Sequence, residues 1–432
     1  VTAVLVVIGY LWKASCALPG QNLGLTDITA RMCLTDIGGL WGGRGLADHQ
    51  FPYIHAVFTA PQGLTGAVEY PVLNGMLIWL VGLGAHDALS FLTLNAIVLG
   101  ICAVVVTILL RGLGGKRAWL WAASPAVLIY VVYNWDTWTV AAATAGVAAL
   151  AMGRRTSQPS TRATFIAGAL FGLGGALKIY PLLLLLPLMC MAFHQAHVLG
   201  APWAQRIGRA LIPAVGAGIV LLASNLPLMI INFQGWMSPI RFQSHRQLRE
   251  DTMSVWYWIL RPFGHPDSDR IQPLVNVATL GITALVVLAV LVVGWRLAMR
   301  RGGYPLLAVS LAVVAAYVAF GKVSSPQYML WLIPLVALTV VRVPWIVALY
   351  VVDTLMFTAW YQMFGQREAA PDLSRSLDYV VFATVVLRFG LIVLIAILAL
   401  RSDSPHLPRW RDGRENALEH STEASRREHV SA

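Results

Sequence analysis

Long apolar runs recur from one end of this chain to the other, and few of them carry a charge. A run of this kind needs roughly 20 helical residues to cross about 30 Å of hydrocarbon. Inside lipid a segment must satisfy its own backbone, which favours helices; a barrel would show ten-residue alternating segments, and these runs do not alternate. With 58% hydrophobic and 12% charged residues there is too little polar surface to cover a soluble globule. The expected fold is an all-α polytopic membrane protein. Spans are read near 1–13, 88–110, 118–134, 136–153, 165–177, 180–194, 208–231, 272–298, 305–320, 328–341, 344–364 and 378–400, about twelve crossings. The first is short and opens directly on VTAVLVVIGYLW, which reads as a start that is clipped or late; it lacks the basic leader and cleavage pattern of a signal peptide.

Orientation follows from short loops rich in Arg and Lys, which stay cytoplasmic. Arg111, Lys116 and Arg117 make one such loop; Arg154, Arg155 and Arg162 another; then come Arg206 with Arg209, and Arg296 with Arg300 and Arg301. The opposite, extracytoplasmic face then holds a large first loop, 14–70, a second long loop, 232–272, and the turns at Lys322–Gln327 and Gln366–Leu377. Parity leaves Pro71–Ala85 as an embedded or surface-lying helix that does not cross; the competing reading makes it a true span. The membrane domain is expected over 1–400. The tail 401–432, with six arginines and six carboxylates, is expected to be a disordered cytoplasmic segment.

The first loop is unusual for its acids. Of 20 Asp and Glu in the chain, six lie in the tail, yet Asp27, Asp36, Asp48 and Glu69 all fall between 13 and 70. That concentration suggests chemistry at the membrane surface. A basic cluster, Arg241, His245, Arg246 and Arg249, lies on the face where positive charge is disfavoured, and it suggests an anionic ligand such as a lipid phosphate. The plainer reading pairs these cations with Glu250 and Asp251. The net charge of +11 is otherwise explained by cytoplasmic arginine, and no aromatic-interleaved basic patch supports nucleic-acid binding. Cys102 and Cys190 read as small apolar side chains, whereas Cys16 and Cys33 share the first loop and can form a disulfide. No Walker loop, dinucleotide fingerprint, HExxH or metal-site spacing is present, so neither cofactor nor metal is expected.

Six segments in order, TDIGGLWGGRGL with VEYPVLNG, NWDTW, LKIYPLLLLLPL, FQSHRQLREDTMSVWYW and VSSPQYMLWLIPL, resemble glycosyltransferase family 87. That family belongs to the polytopic GT-C class and includes the actinobacterial polyprenol-phosphate-mannose-dependent α-mannosyltransferases. The resemblance covers roughly residues 20–340. It implies an enzyme of the plasma membrane that takes a sugar from a polyprenyl-phosphate donor at the outer leaflet and passes it to a hydroxyl on a glycolipid or glycan. In such enzymes a carboxylate of the first outer loop is the general base, and Asp36 is the matching position. An alcohol attacks an anomeric carbon usefully only as its proton leaves, so chemistry of this kind calls for a carboxylate there. The family often shows an aromatic four positions later; here Leu40 holds that place and Trp41 follows.

Asp27, Glu69 and Asp48 are the alternatives for the base. Their plainer roles are helix caps or loop ion pairs with Arg31 or Arg44, and Asp27, just before ITARM, suits a cap best. Glu69 and Tyr70, with Pro71, resemble the family's element above the donor. Asn134 and Asp136 stand where one span ends and the next begins, suited to sugar hydroxyls, although Asp136 also suits a helix cap. For the donor phosphate the candidates are Lys178, Arg241, His245, Arg246 and Lys322. Gln327 and Tyr328 in KVSSPQY, together with Trp256, are candidates for sugar or acceptor contacts; Trp256 and Trp258 equally suit an interfacial anchor. Asp353, inside an apolar run where a charge is costly, is not placed in the site. The main expectation is thus a sugar transfer, from mannose first, with inversion. An arabinofuranosyltransferase using a polyprenyl-phospho-arabinose donor is the rival, and a transporter or non-catalytic assembly partner of cell-envelope biosynthesis is the other class.

Overall fold

The computed structural model describes residues 1–18, 23–59, 63–154, 159–402 and Trp410, and it is mostly helical. Apolar α1 (Thr2–Ala14) leads into a small folded cap. The cap holds α2 (Leu25–Ala30), α3 (Asp36–Gly43), a hairpin of β1 (Val57–Thr59) with β2 (Gly63–Thr65), and α4 (Val72–Gly82). A Cys16–Cys33 disulfide, Cα atoms 6.2 Å apart, ties the end of α1 to the strand of chain before α3. Asp27 sits in the first turn of α2, where its carboxylate accepts the Gly24 N–H at 3.1 Å, so it is a capping residue.

The membrane part follows. α5 (Ala88–Gly114) is 27 residues long. The apolar run expected as one span at 118–134 is instead broken into α6 (Trp119–Ala122) and α7 (Pro125–Tyr130). Ser124 caps α7 through its hydroxyl, and Pro125 has no N–H with which to continue the preceding turn. Then come α8 (Asp136–Met152), α9 (Thr161–Leu177), α10 (Leu185–Val198), α11 (Trp203–Ile231), α12 (Phe233–His245), α13 (Val255–Leu260), α14 (Gln272–Arg301), α15 (Leu306–Phe320), α16 (Met329–Ala337), α17 (Val343–Gly365) and α18 (Pro371–Arg401).

Six helical stretches among the described residues are long and apolar enough to cross a membrane: 88–122, 180–198, 203–231, 272–301, 343–365 and 371–401. This is a multi-pass membrane protein. The other apolar helices are shorter, among them α1, α4, α9 and α15. The long and the short ones occupy different positions. α11 and α14 expose Leu222, Ile230, Leu274, Val277 and Leu280 widely, as a surface in contact with lipid can. α15 and α16 are buried on nearly every side and form the middle of the bundle.

Loops gather at two ends. At one, Arg117 donates to the carbonyls of Ala337 (3.1 Å) and Val341 (3.0 Å), and Arg301 to that of Ser402 (3.0 Å). At the other, Asn232 donates to the Ile54 carbonyl (2.8 Å), Gln362 to that of Ala30 (2.7 Å), and the Ser324 amide to that of Thr252 (2.9 Å). The described parts of segments 14–70, 232–272, 321–328 and 366–377 therefore meet at a single end, opposite the arginine-rich turns. α4 keeps to that end along its whole length: Trp79 donates to the His49 carbonyl at 2.8 Å, and Gly82 packs on Phe91 in the first turn of α5. Eleven residues of helix reach only about 16 Å, short of the hydrocarbon thickness. Of the expected disordered tail, all but Arg401, Ser402 and Trp410 lies outside the described residues.

Candidate active site

Asp36 is the first helical residue of α3. Thr35 caps that helix, its hydroxyl accepting the Gly38 amide at 3.0 Å, and the Asp36 amide is held by the Tyr133 carbonyl at 3.0 Å. The carboxylate is thereby aimed at the turn after α7. Its Oδ2 accepts from Asn134 Nδ2 and from the Tyr70 hydroxyl (3.4 Å), while Asn134 also donates to the Tyr70 oxygen at 2.9 Å. Its Oδ1 takes no hydrogen bond among the described residues, and the side chain keeps part of its surface. Burial, and next Glu69, push the Asp36 carboxyl up to about 6; Lys178, Asn134 and Arg246 oppose the rise. Tyr70 is pushed well above the usual phenol range by burial first and then by the nearby carboxylates, so it stays protonated and can donate.

Asp136 begins α8 but does not cap it. Its Oδ2 accepts from Lys178 at 2.6 Å and its Oδ1 from the Trp331 indole at 2.7 Å, and the residue is fully buried. Lys178 stands at the end of α9, also donating to Asn134 Oδ1 at 3.2 Å, with its ammonium 5.2 Å from the Tyr70 ring centroid. It does not reach toward headgroups; Asp136 keeps it at the site. Five residues read from sequence, Asp36, Tyr70, Asn134, Asp136 and Lys178, thus form one hydrogen-bonded chain. Tyr328 joins it through Trp331, whose ring lies between Tyr328 (3.7 Å) and Tyr180 (4.4 Å).

A second group stands nearby. Lys322 donates to the Arg246 carbonyl and to Asn276 Oδ1 (2.6 Å); burial, then Arg246, bring its ammonium down to about 8. The Arg246 guanidinium makes no hydrogen bond or ion pair among the described residues, and its charge is felt at Asp36, Tyr133 and Tyr328. The pairing of this basic segment with its own acids does not occur for Glu250, which binds Arg367 at 3.2 Å. Gln327 is buried beside these residues with its Oε1 unpartnered.

Other residues have local roles. Glu69 pairs with Arg44 at 3.2 Å, the loop ion pair weighed as its plainer role, and Gln243 donates to its carbonyl. His245 packs on Phe58 (5.3 Å) with Nδ1 2.8 Å from the Arg241 carbonyl. Trp256 gives its indole N–H to the Phe320 carbonyl at 2.8 Å, and Asp48 is exposed. Arg241 is half-buried, without a side-chain bond among the described residues. None of these five bonds to the Asp36 chain.

Two participants were not among the candidate residues of the sequence. Trp331 was one aromatic among many until Asp136 met it. Tyr53, fully buried at φ 74°, puts its hydroxyl against the carbonyls of Tyr70 (3.1 Å) and Pro71 (3.3 Å) and so supports Tyr70 from below. Gly75 of α4 makes room for it: a Cβ there would lie 1.9 Å from the Tyr53 hydroxyl.

The arrangement can take up a proton at Asp36 Oδ1 while fixed positive charge stands close by. Residues 150–366, half of the chain, match the family model described as mannosyltransferase (PIG-M); they include Lys178, Arg246, Lys322 and Trp331. The molecule is therefore a membrane glycosyltransferase. The chain belongs to the mannosyltransferase (PIG-M) family. No curated protein matches its sequence. Among solved structures it is similar to ArnT from Cupriavidus metallidurans in the apo state (TM-score 0.43, 13% identity, 92% of this chain and 76% of that one). It is similar also to the same protein bound to undecaprenyl phosphate (0.42, 14%, 92% and 75%). A third is the archaeal oligosaccharyltransferase AglB from Archaeoglobus fulgidus, in complex with an inhibitory peptide and a dolichol-phosphate (0.38, 13%, 95% and 56%).

Proposed function

We propose that this enzyme moves a sugar, mannose in the first instance, from a polyprenyl phosphate to a hydroxyl of a glycolipid or glycan at the extracytoplasmic face of the plasma membrane, as a family-87, GT-C-type transferase. The acceptor hydroxyl attacks the anomeric carbon and the bond from that carbon to the phosphate oxygen breaks on the opposite face, inverting the centre. The acceptor's proton passes to Asp36 and polyprenyl phosphate leaves as the other product. The supporting observation is Asp36 itself: one oxygen bonded and aimed by Asn134 and Tyr70, the other free, and a carboxyl lifted to about 6. Such a base is mostly ionised at neutral pH yet stronger than an ordinary aspartate.

Lys178 shares its charge with Asp136, so most of the unspent positive charge belongs to Arg246 and Lys322. In this reading those two hold the donor phosphate, Lys178 stabilises the departing oxygen, and Tyr328 and Gln327 meet the sugar. The test is transfer by purified full-length protein in lipid nanodiscs from polyprenyl-phospho-mannose, wild type beside Asp36→Asn, with polyprenyl-phospho-arabinose as the competing donor. Equal rates in the two proteins would remove Asp36 from the reaction. Preferential use of arabinose would replace the sugar and leave the base in place.

A further inference from the structure

Midway along their helices, away from the Asp36 chain, α18 carries Arg388, 2% exposed, and α17 carries Asp353, 3% exposed. They meet at 2.8 Å as an ion pair, off the linear hydrogen-bond geometry, and Asp353 Oδ2 accepts from the Tyr130 hydroxyl of α7 at 2.8 Å. The rest of the guanidinium faces three successive residues of the turn between α15 and α16. Nη1 donates to the Ser324 carbonyl (2.9 Å) and hydroxyl (3.0 Å), and Nη2 lies 3.4 Å from the Ser325 carbonyl and 3.5 Å from that of Pro326.

The Ser325 carbonyl also accepts the Tyr328 amide (3.1 Å) and that of Pro326 the Met329 amide, in the short 3-10 turn that opens α16, so among the described residues the buried Ser324 carbonyl has Arg388 as its donor. Ser324 and Ser325 are buried, and the turn they form carries Lys322 at one end and Gln327 and Tyr328 at the other. A planar fork with five N–H groups can serve a carboxylate on one edge and several carbonyls on the other; an ammonium carries its three donors on one atom and does not span both edges. The charge itself is tolerated there because Asp353 neutralises it. Tyr130 continues the line to the turn that presents Asn134, since its carbonyl accepts the Tyr133 amide at 3.2 Å.

We propose that Arg388 is a positioning residue for sugar transfer: anchored by Asp353 and Tyr130, it fixes from beneath the turn that presents Lys322, Gln327 and Tyr328 to the donor. Asp353 is then the counter-charge that keeps Arg388 aimed. The inference rests on the transferase reading of the Asp36 site, but part of its test does not. Amide exchange over 321–328 is followed by mass spectrometry in full-length protein in nanodiscs, beside donor kinetics with polyprenyl-phospho-mannose. Arg388→Lys keeps the charge and loses the fork; exchange in the turn is expected to quicken about tenfold and donor KM to rise by about the same factor, with kcat within about threefold.

A second variant, Arg388→Met with Asp353→Leu and Tyr130→Phe, removes the whole polar set and leaves no stranded charge. It is expected to melt close to the wild type while the turn still exchanges quickly and donor KM stays raised. Wild-type exchange in Arg388→Lys, or wild-type exchange and KM in the triple variant, would reduce the pair to a structural element and overturn the proposal. Absence of transfer in the wild type, with fast exchange in the variants, would instead strike the transferase reading and leave the positioning of the turn standing.

Discussion

Asp36 and Asp353 are both aspartates withdrawn from water in a protein with few carboxylates, and their surroundings give them opposite capacities. Asp353 is enclosed: one oxygen faces Arg388, the other takes the Tyr130 hydroxyl, and nothing is left to bind a proton from outside. Asp36 has both its donors on a single oxygen, keeps some exposure, and meets no cation directly. Asp136 is closer to Asp353 than to its neighbour, since Lys178 and Trp331 occupy both its oxygens. Burial alone therefore does not mark a base. What marks one is burial with an oxygen left over.

The contrast can be broken most directly at Asp36. Asp36→Asn is expected to lower kcat about a thousandfold while melting at least as high as the wild type, read by transfer kinetics beside a thermal unfolding curve. Next in size is Lys178→Met, with a loss of about a hundredfold in kcat/KM; because Asp136 is then stranded, the double change with Asp136→Asn should recover stability but not rate. Asp353→Asn should show the reverse balance, destabilising the fold by about 3 kcal/mol through the unpaired Arg388. The temperature midpoint measures that cost, and a midpoint unchanged from wild type would remove the distinction drawn between the two aspartates.

Smaller effects sharpen the same comparison. The Asp36 carboxyl lies at about 6 in the folded protein, above its ordinary value near 4. The rate should therefore climb with pH through about 6 and level off above it. A raised folded value also means that the stability Asp36 contributes is complete below about 4 and is lost as pH rises through about 6. The melting profile of Asp36→Asn should be flatter than the wild type across that window. The smallest effect is expected at Asp27→Asn, where a cap contact is weakened by at most about 1 kcal/mol and the rate stays unchanged.

Much of this site could be read in the chain, and particular residues show why. Tyr70, Asn134 and Lys178 stand next to Pro or a span end, and Asp36 follows the capping Thr35; such local punctuation places a polar side chain at a helix terminus whatever the rest of the fold does. Lys178 was visible as a cation closing an apolar run; that it would turn inward to Asp136 was not. Trp331 and Tyr53 gave no signal, because a tryptophan in an apolar helix and a tyrosine in a loop have the same local pattern whether they pack, anchor or bind. The break in the run 118–134 was signalled by Ser124 and Pro125, yet apolar content outweighed them.

The sequence by itself determined the membrane habit, the gathering of basic turns away from the acidic segment, and the set of polar residues available at span ends. Those depend on hydropathy and on backbone chemistry within a few residues, which any packing of the helices must respect. Only the tertiary structure decided which carboxylate keeps a free oxygen, which lysine is neutralised, and that Arg388 reaches the turn above it. Such matters depend on contacts between residues 42 to 223 positions apart, as for Lys178 with Asp136 and Tyr130 with Asp353, and a linear pattern carries no record of them.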